Sequence, residues 1–258
     1  MKIAISGKGG VGKTLVASLL ARAFSRADYS VIAIDADPDT NLAATLGFPK
    51  TDRLVPISEM KELIQERTET RPSQSGTYFK MNPRVDDLPE KYSLKHEGIR
   101  LLVMGQMKRG GGGCYCPENS LLAALMAHLL LARDEVVILD MAAGIEHLGR
   151  GTARAVDKLI IVVEPGRASL ETAFRVRKLA ADIGLTNLAV IANKIHDQEE
   201  EKAISARLGD FEILGFVPYD QALVDADINN LSVLDASQPV SDAVDRIFHK
   251  LLAAGVKS

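Results

Sequence analysis

Two lysines and a threonine in Gly7-Lys8-Gly9-Gly10-Val11-Gly12-Lys13-Thr14 are the residues most clearly spaced for chemistry. Glycine, four residues, then Gly-Lys-Thr is the phosphate-loop pattern, in which backbone N–H groups surround an anion. In that pattern Lys13 reaches the β- and γ-phosphates of a nucleoside triphosphate and the Thr14 hydroxyl ligates Mg²⁺. Lys8 is not required by it. A second cation beside Lys13 repels it unless phosphate lies between them or Lys8 points elsewhere. The plain alternative is a glycine-rich turn with no ligand.

Three carboxylates fit the same site. Asp140 ends the apolar run Val136–Leu139, the place for a carboxylate behind a bound Mg²⁺. It could equally cap a turn. Gly144, four residues on, offers an N–H for a γ-phosphate. Asp35 and Asp37 flank Ala36 at a second strand end, and alternation points both to one face. Transfer of a phosphoryl group to water needs a group that orients the water. Asp37, rigid before Pro38, is the choice for that role, and Asp35 for a Mg²⁺–water contact; either could simply start the turn.

Cys114-Tyr115-Cys116 is a second anchor, holding the only two cysteines of the chain behind Gly110 to Gly113. In extended backbone both sulfurs face one way and could bind one ion. Two thiolates do not close a tetrahedral site, and His128, the nearest nitrogen in sequence, lies inside an expected helix. Two copies across a two-fold axis would supply four sulfurs, suiting Zn²⁺ or Ni²⁺. Burial of two small apolar side chains is the competing reading, although flanking glycines and Pro117 favour a loop. Asn193-Lys194 and Pro218-Tyr219-Asp220 close successive strands and are the candidate walls of a purine pocket.

The elements that must position these groups alternate strand and helix, so the expected fold is α/β: a doubly wound, mostly parallel sheet with helices on both faces. Lys2–Ile5, Ser30–Ile34, Ile99–Met104, Val136–Asp140, Leu159–Val163, Leu188–Ile191 and Ile213–Val217 read as strands. Helices are expected from Leu15, over Ile57–Thr68, Glu118–Ala132, Ala168–Ile183, Glu199–Leu208 and Pro239–Ala254, with a helical turn at Asn41–Leu46. Residues 50–98 are polar and read as an insertion over the carboxyl edge of the sheet, with a short strand possible at Gly76–Met81. With no repeats and no long linker, residues 1–258 are read as one domain.

Composition narrows the partners. Hydrophobic residues make up 47% and charged residues 25%, and the net charge is −3, which gives no basic field for nucleic acid. No apolar run approaches the roughly 20 residues that span a bilayer, and the amino terminus lacks a signal pattern. The expectation is a cytoplasmic protein with reduced cysteines and no membrane or nucleic-acid partner.

The Lys8 and Lys13 pair resembles the deviant Walker A loop of the MinD, ParA and nitrogenase iron protein class. Asp35-x-Asp37-Pro38 and Asp140-x-x-x-Gly144 match the two switches of that class. Within it the chain is most similar to the CooC family, through Gly110–Cys116, Asp140–Thr152, Glu164-Pro165, Asn193-Lys194 and Pro218-Tyr219-Asp220. The resemblance implies an ATPase that dimerises on ATP and Mg²⁺, with Lys8 reaching the partner's nucleotide. It implies Ni²⁺ (or Zn²⁺) held by Cys114 and Cys116 of both subunits, and nickel insertion into carbon monoxide dehydrogenase. Acetyl-CoA synthase is the alternative client. Leu15 stands where the class usually has a second threonine, which removes an α-phosphate contact. A ParA/MinD-like positioning switch shares the loop but gives the cysteines no purpose. An iron–sulfur protein would space its cysteines farther apart.

Overall fold

The computed structural model describes residues 1–49, 51, 54–70, 79–105, 116–145 and 148–255. Cys114, the glycines before it, and Glu146 and His147 lie outside that set. The sequence's β-branched runs form a single eight-stranded sheet: β1 (Lys2–Ser6), β2 (Val31–Ala36), β3 (Leu94–His96), β4 (Ile99–Val103), β5 (Val136–Met141), β6 (Lys158–Val163), β7 (Leu188–Ile195) and β8 (Glu212–Pro218). Their order is β3-β4-β2-β5-β1-β6-β7-β8, and every pair is parallel except β3 with β4. The doubly wound, mostly parallel sheet expected from the sequence is therefore the fold.

Helices α1 (Lys13–Arg26), α2 (Leu42–Thr45), α3 (Lys61–Thr68), α4 (Leu88–Tyr92), α5 (Pro117–Leu131), α6 (Arg150–Ala153), α7 (Arg167–Asp182), α8 (Gln198–Arg207), α9 (Gln221–Ile228) and α10 (Gln238–Gly255) cover it. Alternation along each strand sorts the core into two layers. Ile3, Ile5, Ala33 and Ile138 face α1 and α10, with Phe24 and Phe248 edge to face at 4.9 Å. Ala4, Ile34 and Leu139 face the other way, toward Leu125 of α5, Val176 of α7 and Ile204 of α8. The central strands β1, β2, β5 and β6 are buried along their whole length, as strands covered on both faces must be. The last helix buries Val240, Val244, Ile247, Phe248 and Leu251 against this sheet, the packing role that its helical spacing predicts.

Several boundaries differ from expectation. The helix predicted over Ile57–Thr68 is a 3₁₀ turn, Ile57–Glu59, followed by α3. The break has a local cause: the Ser58 N–H donates to Met104 O at 3.0 Å, tying this turn to the end of β4. Residues 79–81 of the strand considered at Gly76–Met81 are not extended in a ladder; the rest of that stretch lies outside the described residues. The polar stretch 50–98 is more than a cover on the carboxyl edge. Ile57, Leu63, Ile64, Val85 and Leu88 join the core, and β3 extends the sheet. Glu97 and Gly98, with φ of 46° and 78°, form the two-residue turn that reverses β3 into β4. Two positive φ values are what such a tight hairpin turn demands.

Candidate functional site

The cleft opens where the strand order turns outward from β1, at the carboxyl ends of the strands, which is where open α/β sheets place ligands. β1 runs into the phosphate loop, and α1 begins at its far end. The loop is shaped by crowding. A Cβ on Gly7 would sit 2.3 Å from Val162 O of β6, and one on Gly12 would sit 2.2 Å from Asn193 Nδ2 of β7. Gly12 also has φ of 91°, a conformation L residues rarely hold. Gly9 and Gly10 are exposed on the cleft side.

Lys13, buried in the first turn of α1, has its Nζ 3.7 Å from Asp37 Oδ2. Thr14 Oγ1 donates to Asp140 Oδ2 at 2.7 Å, while Asp140 Oδ1 is buried without a partner among the described residues. A carboxylate with one oxygen on the Thr14 hydroxyl, the expected Mg²⁺ ligand, and the other unsatisfied fits a hydrated cation beside it. Asp35 faces Asp140 across the β2–β5 pair. Its Oδ1 accepts the Asp37 N–H at 3.2 Å and its Oδ2 the Leu42 N–H at 3.0 Å. Asp35 thus holds the turn that carries Asp37. Each of those oxygens keeps a further lone pair, so neither bond has to open for Asp35 to accept from a cation-bound water.

Burial of these two acids, with little protein charge to offset it, raises both pKa values. Asp35 rises to about 7, chiefly by desolvation, with Asp140 and Asp37 adding repulsion. Asp140 rises to about 6, again chiefly by desolvation, against the Thr14 hydrogen bond and the Lys13 charge. An added divalent cation would favour the ionised form of each.

The cleft has two connected parts that share Gly12, Thr45, Asp227 and Val233. The larger, about 760 Å³, is lined by Gly9, Gly10, Lys13, Thr14, Asp37 and Asp39. The smaller, about 260 Å³, is lined by Leu15, Asn193, Lys194, Pro218, Tyr219 and Asp220. The residues read as nucleotide walls are therefore together beside the loop, in a cavity sized for a base. Their polar ends do other work. Asn193 Nδ2 donates to Val11 O at 2.8 Å, and Lys194 Nζ donates to Gly10 O at 2.6 Å and pairs with Glu164 at 3.0 Å. Asp220 caps α9 through the Ala222 N–H and accepts from Ser237 Oγ at 2.6 Å, which lowers its pKa. Tyr219 stacks on His196, ring centroids 4.8 Å apart.

Lys8 is exposed at the mouth of the loop. The Gly144 N–H, a candidate for the γ-phosphate, here donates to Ala142 O at 2.7 Å, and Ser6 Oγ holds Gly144 O at 2.8 Å. Cys116 is half-buried at the N-cap of α5, with extended φ and ψ of −109° and 152°. Among the described residues no three His, Cys, Asp or Glu side chains are grouped to hold a metal ion. No described helix is long and apolar enough to cross a membrane.

Sequence reasoning missed Thr45, Asp227 and Val233 as cleft walls. Val233 sits in a 3₁₀ turn, Val233–Asp235, that is clamped to α1 by buried Arg22, whose Nη1 meets Asp235 Oδ1 at 2.7 Å and whose Nη2 meets Leu234 O. No short-range pattern marks such a wall. It is assembled from an α1 arginine and a turn more than 200 positions later.

Residues 2–233 match the CobQ/CobB/MinD/ParA nucleotide binding domain. The carbon monoxide dehydrogenase accessory protein CooC of Rhodospirillum rubrum is 47% identical over 256 residues, covering 98% of this chain and 95% of that protein. An uncharacterised ATP-binding protein of Methanocaldococcus jannaschii is 46% identical over 255 residues, 98% of each chain. The Aquifex aeolicus MinC:MinD cell division protein complex contains a chain of the same fold, with a TM-score of 0.70, 23% identity, and coverage of 98% and 95%. This chain belongs to the CobQ/CobB/MinD/ParA nucleotide-binding family, in the group that includes the R. rubrum CooC protein.

Proposed function

We propose that the protein is an ATP-hydrolysing maturation factor that works in the cytoplasm as a nucleotide-dependent homodimer. It carries nickel (or zinc) on Cys114 and Cys116 of both subunits and assists nickel insertion into carbon monoxide dehydrogenase, with acetyl-CoA synthase as the alternative client. The observation that carries this reading is the Cys114-Tyr115-Cys116 pair in a chain 47% identical to a carbon monoxide dehydrogenase accessory protein. Cys116 begins a helix, where the positive end of the helix dipole favours an anionic group.

Thr14 and Asp140 would hold Mg²⁺, with Asp35 behind them; the cation offsets charge on the β- and γ-phosphates. Lys13 exchanges its contact with Asp37 for phosphate. That leaves the Asp37 carboxylate to orient water for attack on the γ-phosphorus, with ADP as leaving group. Lys8 compensates charge from the partner subunit. The base occupies the smaller cavity, against Tyr219, Pro218 and Leu15. Hydrolysis removes the phosphate that both subunits grip, so the dimer reopens and its shared metal site comes apart. Nucleotide and metal are then linked ligands of one dimerisation equilibrium.

Anaerobic titration with Ni²⁺ and with Zn²⁺, with and without ATP, while dimer mass is followed, tests the proposal. One ion per dimer, tightened by ATP and abolished by the Cys114→Ala/Cys116→Ala double variant, is expected. If the double variant still binds one ion per dimer, the cysteine assignment is wrong. ATP-driven dimers that take up no metal would favour a ParA/MinD-like positioning switch, to which the shared fold is equally suited.

A further inference from the structure

Successive residues of a strand point to opposite faces, so Asn193 and Lys194 should not both reach the phosphate loop. They do, taking the Val11 and Gly10 carbonyls respectively. The reason is local. Lys194 has φ of 60°, and the β7–β8 register is irregular between Ala192 and Ile195. Such a bulge re-aims a side chain.

A lysine ammonium on a four-carbon stem does not hold one direction by itself, and the Lys194 side chain is 41% exposed. Glu164 supplies the constraint. It stands just past β6, its carboxylate lies 3.0 Å from Lys194 Nζ, and its own N–H donates to Ser169 Oγ of α7 at 3.0 Å. A continuous set of contacts therefore runs from Ser169 through Glu164 and Lys194 to Gly10. In a planar trans peptide the carbonyl and the following N–H point opposite ways. Holding the Val11 carbonyl against β7 thus turns the Gly12 N–H away from β7. Holding the Gly10 carbonyl does the same for the Val11 N–H, which spans the turn to Lys8 O at 3.4 Å.

We propose that Glu164 is a positioning residue for the phosphate loop, fixing the Lys194 ammonium on the Gly10 carbonyl so that Lys194 serves the loop and not the base. The inference rests on the nucleotide-binding reading for its purpose, but the loop order it describes exists before any ligand binds.

The test uses the full chain with Glu164→Gln and Lys194→Met, and Glu171→Gln as a control that breaks only the surface Arg167–Glu171 pair. Hydrogen–deuterium exchange of the unliganded protein should be faster across residues 7–14 in the first two variants and unchanged in the third. Affinities for ATP and for tripolyphosphate, which has no base, should fall by the same factor, roughly two- to fivefold, the scale of one partly exposed ion pair. Unchanged loop exchange in both variants overturns the proposal. So does a loss for ATP with none for tripolyphosphate, which would return Lys194 to the base. If the parent protein binds neither ligand, the function proposed above fails, and the exchange experiment still decides the role of Glu164.

Discussion

Gly12→Ala isolates the packing of the loop from its chemistry. At φ of 91° an L residue costs about 1–2 kcal/mol in backbone strain. The new methyl would lie 2.2 Å from Asn193 Nδ2 and 3.5 Å from its Cγ, so the amide must swing away and give up its 2.8 Å bond to Val11 O. Asn193 is only 3% exposed, and an amide stripped of its partner there costs about 1–3 kcal/mol more. The two terms sum to about 2–5 kcal/mol, and a chain of this size loses roughly 2–4 °C of melting temperature per kcal/mol. A drop of roughly 4–20 °C is expected for the unliganded protein, followed by circular dichroism. Gly9→Ala is the control. A Cβ there meets nothing within 4 Å, so a change within about 0.5 kcal/mol is expected. Placing Gly12→Ala in an Asn193→Ala background removes the collision and should leave only the backbone cost, a coupling that a double-mutant cycle reads directly. The reasoning is wrong if Gly12→Ala melts within 2 °C of the parent, or if its cost is the same in both backgrounds.

Two further outcomes follow from the acids of the site. Asp35 and Asp140 have folded pKa values of about 7 and about 6, above the ordinary 3.8. The native chain therefore binds more protons than the unfolded one between those limits, and stability should fall as pH rises from about 4 to about 7. The urea midpoint of the unliganded protein should decline across that window and decline less in Asp140→Asn; a midpoint that rises there contradicts the burial argument. Asp37→Asn removes the group assigned to orient water while leaving Lys13 and Thr14 in place. Its turnover of ATP should drop about 100-fold or more with ATP affinity within about threefold, measured by steady-state phosphate release and calorimetry. A loss in affinity alone would make Asp37 a binding residue.

The parallel sheet was legible because its strands are β-branched runs buried on both faces, and the phosphate loop because its pattern sits between such a run and a helix. The carboxylates were legible for the same reason: Asp35 and Asp140 end apolar strands. What could not be read is what the chain does between distant segments. The β3–β4 hairpin is short and polar, and only Glu97-Gly98 marks it. Asn193 and Lys194, read as walls of a purine pocket, lie beside the loop with their polar ends turned to its carbonyls because of a left-handed residue that no side-chain pattern announces. Asp220, read as a pocket wall, is also the N-cap of α9, a helix of weak periodicity that sequence reasoning overlooked. The expectations for Cys114 fall outside the described residues and rest on sequence.

The Arg22 clamp has a mechanical consequence. α1 starts from the phosphate loop at Lys13 and, nine residues on, about 13 Å along its axis, grips the turn that carries Val233. A helix of this length behaves as a strut: it transmits displacement along its axis without absorbing it. Were the first turn to settle onto a bound triphosphate, the shift would be felt at Val233, which borders both parts of the cleft. On the proposed function one rigid member would then weigh both parts of the cleft, and a ligand filling one part would alter the room left in the other.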